Sequence, residues 1–188
     1  MKLMIASDLH GDAECTVTLL RRFEESGAER LVLLGDLLYH GPRNDLPAGY
    51  APRQVITLLN EVRDRLICAR GNCDTEVDQM VLDFPMLSDT ACLFADGHSY
   101  IATHGHHSVP PLREGDILLG GHTHIPSFEK RSTDTGTTYL YINPGSVSLP
   151  KENSPHSYVI IDGDSVCFYD LNGKLYRQET IGERGALC

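Results

Sequence analysis

The chain has no apolar run near the roughly 20 residues needed to span a bilayer. It also lacks a C-x-x-C spacing, an internal repeat, a low-complexity tract and a linker. These absences exclude a helical membrane protein, a thiolate zinc site and a string of tethered modules. The N-terminus shows no basic region followed by an apolar block and a small-residue cleavage site. Lys2-Leu3-Met4-Ile5-Ala6 reads at once as a strand, so no signal peptide and a cytoplasmic location are expected. The six cysteines (Cys15, Cys68, Cys73, Cys92, Cys167 and Cys188) are scattered. In a chain this long they are expected as free thiols in a reducing compartment. Basic residues are scarce, with 16 Lys and Arg against 26 Asp and Glu and a formal charge of −10. That balance argues against a long nucleic-acid duplex, whose binding rests on neutralising many phosphates. A small phosphate ester stays within reach, because a local metal cluster overrides the global field.

What is present is a globular composition, 41% apolar and 22% charged over 188 residues, sufficient for one domain with a substantial core. The first half alternates between strand and helix patterns. Strands are expected at residues 3–7, 31–34 and 66–69, with helices at about 12–26, 52–65 and 75–83. The first helix takes its apolar face from Val17, Leu19, Leu20 and Phe23, and the second from Val55, Ile56, Leu59 and Val62. The second half turns to strands. Pairs at 91–95 and 99–103, 128–131 and 138–142, and 158–161 and 165–169 flank Gly-containing turns, with further strands at 117–119 and 174–180. This order predicts a single α/β domain over residues 1–188: two β-sheets packed face to face as a sandwich, flanked by helices.

Five short motifs recur where apolar runs end: Asp8-Leu9-His10, Gly35-Asp36, Gly71-Asn72-Cys73-Asp74, Thr103-His104-Gly105-His106 and Gly120-Gly121-His122-Thr123-His124. Each alone is common turn or capping chemistry. Together they place Asp8, His10, Asp36, Asn72, His104, His122 and His124 at strand ends, where an α/β fold presents side chains to a ligand. Asp8 and His10, like His122 and His124, are two apart, so an extended backbone would send both side chains from one face. Carboxylate and amide oxygens mixed with imidazole suit Mn, Fe, Zn or Mg better than a thiolate site does. A carboxylate at Asp36 could bridge two ions, and the set is the signature of a hydrolase.

The motifs resemble the calcineurin-like metallophosphoesterase superfamily over residues 8–124. The Gly71-Asn72-Cys73-Asp74 form and the segments His40-Gly41-Pro42-Arg43-Asn44 and Asn143-Pro144-Gly145-Ser146-Val147 look most like its small bacterial YfcE-type phosphodiesterase branch. The resemblance implies a four-layer α/β/β/α fold and a binuclear metal centre, most often manganese, with Ni, Co, Fe, Zn or Mg as alternatives. By it, Asp8, His10, Asp36 and His124 hold one ion, and Asp36, Asn72, His104 and His122 hold the other. It implies a phosphoric diester hydrolase acting on small phosphodiesters through a hydroxide bridging the two ions.

Asn72, His104, Cys73 and Asp74 are the catalytic candidates. Active relatives commonly carry G-N-H-[DE], and here Cys73 stands in place of that histidine. A thiol of pKa about 8.5 is a poor substitute for imidazolium, which favours diesters and activated esters over monoesters. Asp74 is expected to orient a ligand histidine or to cap the helix that follows. The loop at 39–52 should overhang the site, with His40, Arg43 and Asn44, and Arg53 just after it, as substrate contacts. His106 is expected to assist a departing group or to support His104. Arg70 either reaches phosphate or pairs with an acidic surface. His107 reads as exposed, and His98 and His156 carry no functional reading. A homo-oligomer, dimer or tetramer, fits the resemblance. Two other readings are a scaffold that keeps the fold for protein–protein interaction, as a retromer subunit of this fold does, and a phosphomonoesterase.

Overall fold

The computed structural model describes residues 1–182. Its first half runs β1 (Leu3–Ala6), α1 (Ala13–Ser26), β2 (Arg30–Leu33), α2 (Pro52–Glu61), β3 (Leu66–Cys68) and α3 (Glu76–Gln79). The second half is strands alone: β4 (Ala91–Ala95), β5 (His98–Ala102), β6 (Ile117–Leu119), β7 (Ser127–Ser132), β8 (Thr138–Asn143), β9 (Ser157–Asp162), β10 (Ser165–Asp170) and β11 (Leu175–Thr180). Two mixed sheets result, ordered β11-β10-β9-β1-β2-β3 and β4-β5-β6-β8-β7. They form the expected sandwich with flanking helices.

The uninterrupted apolar runs of β1 and β2 follow from burial on both faces. Leu3, Ile5, Val32 and Leu34 point between the sheets, against Tyr100, Ile117, Leu119 and Ile142 of the second sheet. Met4, Ala6, Leu31 and Leu33 point the other way, beneath Leu19 and Phe23 of α1 and Val55 and Leu59 of α2. The outer face of the second sheet carries a smaller cluster of Ile101, Leu118, Tyr139 and Tyr141, joined by Leu112 from the segment 103–116. That segment contains Pro110 and Pro111 and forms no helix.

Helix boundaries follow local chemistry. Asp12 caps α1 by accepting from the Cys15 N–H, and Gly27 ends it at φ 66°. Val17, expected on the buried face, is 52% exposed, because Thr16, Leu19 and Phe23 define that face instead. The second helix was expected to reach residue 65. It stops at Glu61, where Val62 leaves helical geometry and a 3₁₀ turn covers Arg63–Arg65. The third, expected over 75–83, is a single turn. Thr75 and Asp78 start it with a capping box, but the Gln79 amide then bonds Leu82 O, Phe84 O and the Met86 N–H and folds the chain back.

The site's position follows from the topology. β1, β2 and β3 are mutually parallel in one sheet, and β5, β6 and β8 in the other. The motifs leave the C-terminal ends of these strands, where an open α/β sheet builds its ligand crevice.

Candidate metal centre

Five of the seven candidate ligands hold left-handed backbone: Asp8 (φ 59°), His10 (46°), Asp36 (56°), His122 (66°) and His124 (62°). Such a conformation costs a non-glycine residue roughly 1 kcal/mol or more and persists only where surroundings over-determine it. It also corrects the extended-strand expectation. β1 ends at Ala6, so Asp8 and His10 converge through a curled loop rather than by strand alternation.

The loops are pinned from several sides. Asp8 N donates to Gly35 O and His10 N to Asp36 O, tying the first loop to the second. Ser146 Oγ and Ser148 Oγ each donate to Asp8 O at 2.9 Å. Asn143 Nδ2 donates to Gly121 O at 2.8 Å and to Thr123 Oγ1 at 3.0 Å, holding the His122 loop. The Asn143-Pro144-Gly145-Ser146-Val147 segment is therefore a clamp on two ligand loops. Gly71 passes so close to Asp36 that a Cβ there would collide with its Oδ1 and its backbone nitrogen.

The side chains then meet. His124 Nε2 lies 3.2 Å and His10 Nε2 3.5 Å from Asp8 Oδ1. His104 Nε2 lies 3.4 Å from Asp36 Oδ2, 3.1 Å from Asn72 Oδ1 and 3.3 Å from His122 Nδ1. Asp36 Oδ2 is also 3.8 Å from His10 Nε2, so this carboxylate stands between the two groups. All seven residues come together.

Protonation decides what the cluster can hold. His10, His104 and His124 each donate Nδ1–H to a backbone carbonyl, those of Tyr39 (2.8 Å), Leu34 (2.6 Å) and Leu149 (2.5 Å). Their Nε2 lone pairs are thereby turned inward, the arrangement that fixes metal-ligating histidines. His10 Nε2 and His124 Nε2 stand 3.3 Å apart, and with both Nδ1 protonated a cation or an added proton must lie between them. Asp8 Oδ1 is buried with no hydrogen-bond partner among the described residues. Burial alone would raise the Asp8 carboxyl, but the His10 and His124 imidazoles overturn this and hold it far below the usual carboxylate range. For His104, burial works downward, while Asp36, Asp8 and the Leu34 carbonyl push its pKa up to about 9. Buried acceptors and lone pairs converging in this way fit divalent cations.

The sequence agrees. A calcineurin-like phosphoesterase superfamily domain matches residues 1–165. The chain belongs to the calcineurin-like phosphoesterase superfamily. Among its relatives, the phosphodiesterase YfcE of Escherichia coli K12 is 46% identical over 176 residues, covering 92% of this chain and 93% of that protein. A probable metallophosphoesterase of Bacillus subtilis, YsnB, is 27% identical over 188 residues with the same coverage. The solved structure of the E. coli phosphoesterase YfcE superposes with a TM-score of 0.89 at 44% identity, covering 97% of this chain and all of that one.

In this phosphoesterase the other sequence candidates separate. A cleft of about 410 Å³ opens over His10, Asp36, Asn72, His122 and His124, and Cys73, Arg43 and Asn44 line it. The Cys73 thiol is pushed up to about 12, first by burial and then by Asp36, so it stays neutral. His40 does not line the cleft. It packs edge-on against Tyr39 and Tyr50, and its carbonyl braces Asn44. Arg53 is exposed and also off the cleft. His106 packs edge-on against His104, with centroids 5.3 Å apart, and lines a neighbouring cavity of about 430 Å³. His107 is exposed as expected, and His98 pairs with Asp164 at 2.7 Å.

Asp74 neither orients a histidine nor caps α3. Its carboxylate accepts the backbone N–H groups of Asp36 (2.9 Å), Leu37 (2.9 Å) and Gly71 (2.7 Å), locking the ends of β2 and β3 together. Arg70 turns inward, donating to Asp74 O, rather than reaching the cleft. Lys151, which the motifs did not point to, also lines the cleft. Cys15, Cys68, Cys73, Cys92 and Cys167 are free thiols, and Cys188 lies outside the described residues.

Proposed function

We propose that this chain is a two-metal phosphodiesterase of small phosphate diesters, with residues 1–188 acting as one domain in the cytoplasm. The observation that carries the reading is the inward convergence of three tautomer-fixed imidazoles on two buried carboxylates. The relationship to a phosphodiesterase across most of both chains supports it. In this reading Asp8, His10, Asp36 and His124 hold one ion, and Asp36, Asn72, His104 and His122 the other, with manganese the leading candidate. When bound, the ions supply Lewis acidity toward the phosphoryl oxygens and lower the pKa of water enough to make a nucleophile near neutral pH.

The chain's own residues set the conditions for that chemistry. The Cys73 N–H bonds Asp36 Oδ1 at 2.8 Å, leaving Oδ2 directed at the cluster. Asp74 fixes the backbone beneath it, as a positioning residue. Arg43 stands at the cleft, where it meets the phosphate, and its charge is one cause among several, after burial and His104, that hold His122 below the ordinary imidazole pKa. Cys73, neutral and beside Asn72, offers no efficient proton to a leaving alkoxide. Esters whose leaving groups need little protonation are therefore the substrates, and monoesters of ordinary alcohols are not. Self-association into a dimer or tetramer goes with this reading, since Phe94 on the edge strand β4 is 79% exposed.

The test is hydrolysis of bis(p-nitrophenyl) phosphate against p-nitrophenyl phosphate by chelator-stripped protein resupplied with Mn, Ni, Co, Zn or Mg. The reading expects metal-restored turnover of the diester that exceeds the monoester. A monoester preference under every metal would overturn it.

A further inference from the structure

The cleft is electrostatically unlike the rest of the molecule. The chain carries a net charge of −10, yet Asp36 is the one carboxylate residue among those lining the cleft, while Arg43 and Lys151 both line it. Neither basic side chain makes an ion pair or a hydrogen bond among the described residues. An exposed lysine usually trails into solvent, and the backbone beneath Lys151 is what sets it apart. Leu149 O accepts the Nδ1–H of His124, and Lys151 N donates back to His124 O at 3.3 Å. Ser154 closes the turn on Lys151 O through its N–H at 3.0 Å and its hydroxyl at 2.6 Å. Between them, Glu152 and Asn153 are consecutive left-handed residues (φ 52° and 56°). The turn is thus built onto a candidate ligand histidine. Arg43 comes from the separate loop that follows β2, where Asn44 Nδ2 bonds His40 O at 2.8 Å.

Charge then constrains the substrate. With two divalent ions held, Asp8 and Asp36 offset half of their charge, and Arg43 and Lys151 add to the remainder. A diester with neutral arms, a monoanion, leaves much of this field unanswered. We infer that the cleft selects phosphodiesters whose second arm ends in a further anionic group, phosphate-like or carboxylate, and that Lys151 together with Arg43 recognises that group. The inference rests on the phosphodiesterase reading and names its substrate class.

Two synthetic diesters with one leaving group test it: p-nitrophenyl 3-phosphonopropyl phosphate and p-nitrophenyl n-butyl phosphate, assayed on the manganese-loaded enzyme. The wild type is expected to prefer the phosphonate-tipped ester by about tenfold in kcat/KM, expressed in KM. Lys151→Met should bring the ratio to about two or below, Lys151→Arg should restore most of it, and added salt should shrink it. Equal kcat/KM for the two esters in the wild type, or a ratio that survives Lys151→Met, overturns the assignment. Bis(p-nitrophenyl) phosphate in the same preparations separates the two levels. Turnover there without any preference overturns the selectivity alone. Silence on all three esters with every metal overturns the phosphodiesterase reading and this inference with it.

Discussion

Asp74 is where the geometry makes its least obvious demand, and replacing it should damage both stability and metal binding although it faces no ligand. Its carboxylate is 1% exposed and accepts three backbone N–H groups, from Asp36, Leu37 and Gly71. Asp74→Ala strands all three donors, and each buried unsatisfied group costs about 1–3 kcal/mol. Part of that is returned, because burial and the nearby Asp36 charge already push the Asp74 carboxyl above its usual range. Water entering the space left by the side chain returns more. The net loss is about 3–5 kcal/mol, which lowers Tm by roughly 10 °C in a domain of this size. Asp74→Asn keeps one oxygen where Oδ2 serves Asp36 and Gly71 and loses the bond to Leu37, for about 1–2 kcal/mol. Thermal and urea melts of chelator-treated protein give these values, and calorimetric titration with Mn reads the consequence for Asp36. The expected order is wild type, then Asn, then Ala, with metal affinity falling in the same order. An Asp74→Ala protein that melts within about 2 °C of wild type would refute the reasoning.

Other consequences follow from the same geometry. His104 has its folded pKa raised to about 9 by Asp36 and Asp8 against the effect of burial, so metal-free protein holds a proton there at neutral pH. Its contribution to apo stability is full below the ordinary imidazole value of about 6.5 and is lost as pH rises through about 9. Metal must displace that proton, so affinity should rise over the same window, and titrations in buffers of different ionisation enthalpy should show net proton release at neutral pH. No release would contradict the raised His104 pKa. Gly71→Ala should lose metal outright, because the new Cβ takes the space of Asp36 Oδ1; elemental analysis reads this directly. Cys73→His should raise turnover of an alkyl monoester such as glycerol 2-phosphate about tenfold or more by supplying an acid the thiol cannot, and an unchanged alkyl-monoester rate with the metals in place would sink that account of Cys73.

Much of this was legible in the chain because it rests on short-range patterns. Apolar runs ending in Gly-Asp or Gly-Asn located the strand ends, and Asp96-Gly97, with φ of 51° and 79°, gave the β4–β5 hairpin. The seven candidate ligands were named from motif order alone, and the geometry gathers all of them. What stayed illegible depends on long-range partners. Nothing local says that Asp74 will spend its carboxylate on backbone from residues 36 and 37, or that Gln79 will fold α3 back after one turn. His40 stands beside Arg43 in sequence, but the aromatic rings of Tyr39 and Tyr50 draw it away from the cleft. Lys151 carries no motif, and only the bonds from its turn to His124 place it at the cleft. The left-handed ligand backbone was invisible for the same reason, since the loops are held there by Asn143, Ser146 and Ser148 from the far end of the chain.

The most direct test of the two-ion centre is to titrate stripped protein with Mn while following bis(p-nitrophenyl) phosphate turnover, in the wild type and in Asp36→Asn. The account predicts that activity climbs to a plateau at two equivalents in the wild type and stays at background in the variant, whose carboxylate no longer joins the two groups. Turnover that saturates at one equivalent, or that persists in Asp36→Asn, would contradict a centre built around a shared Asp36.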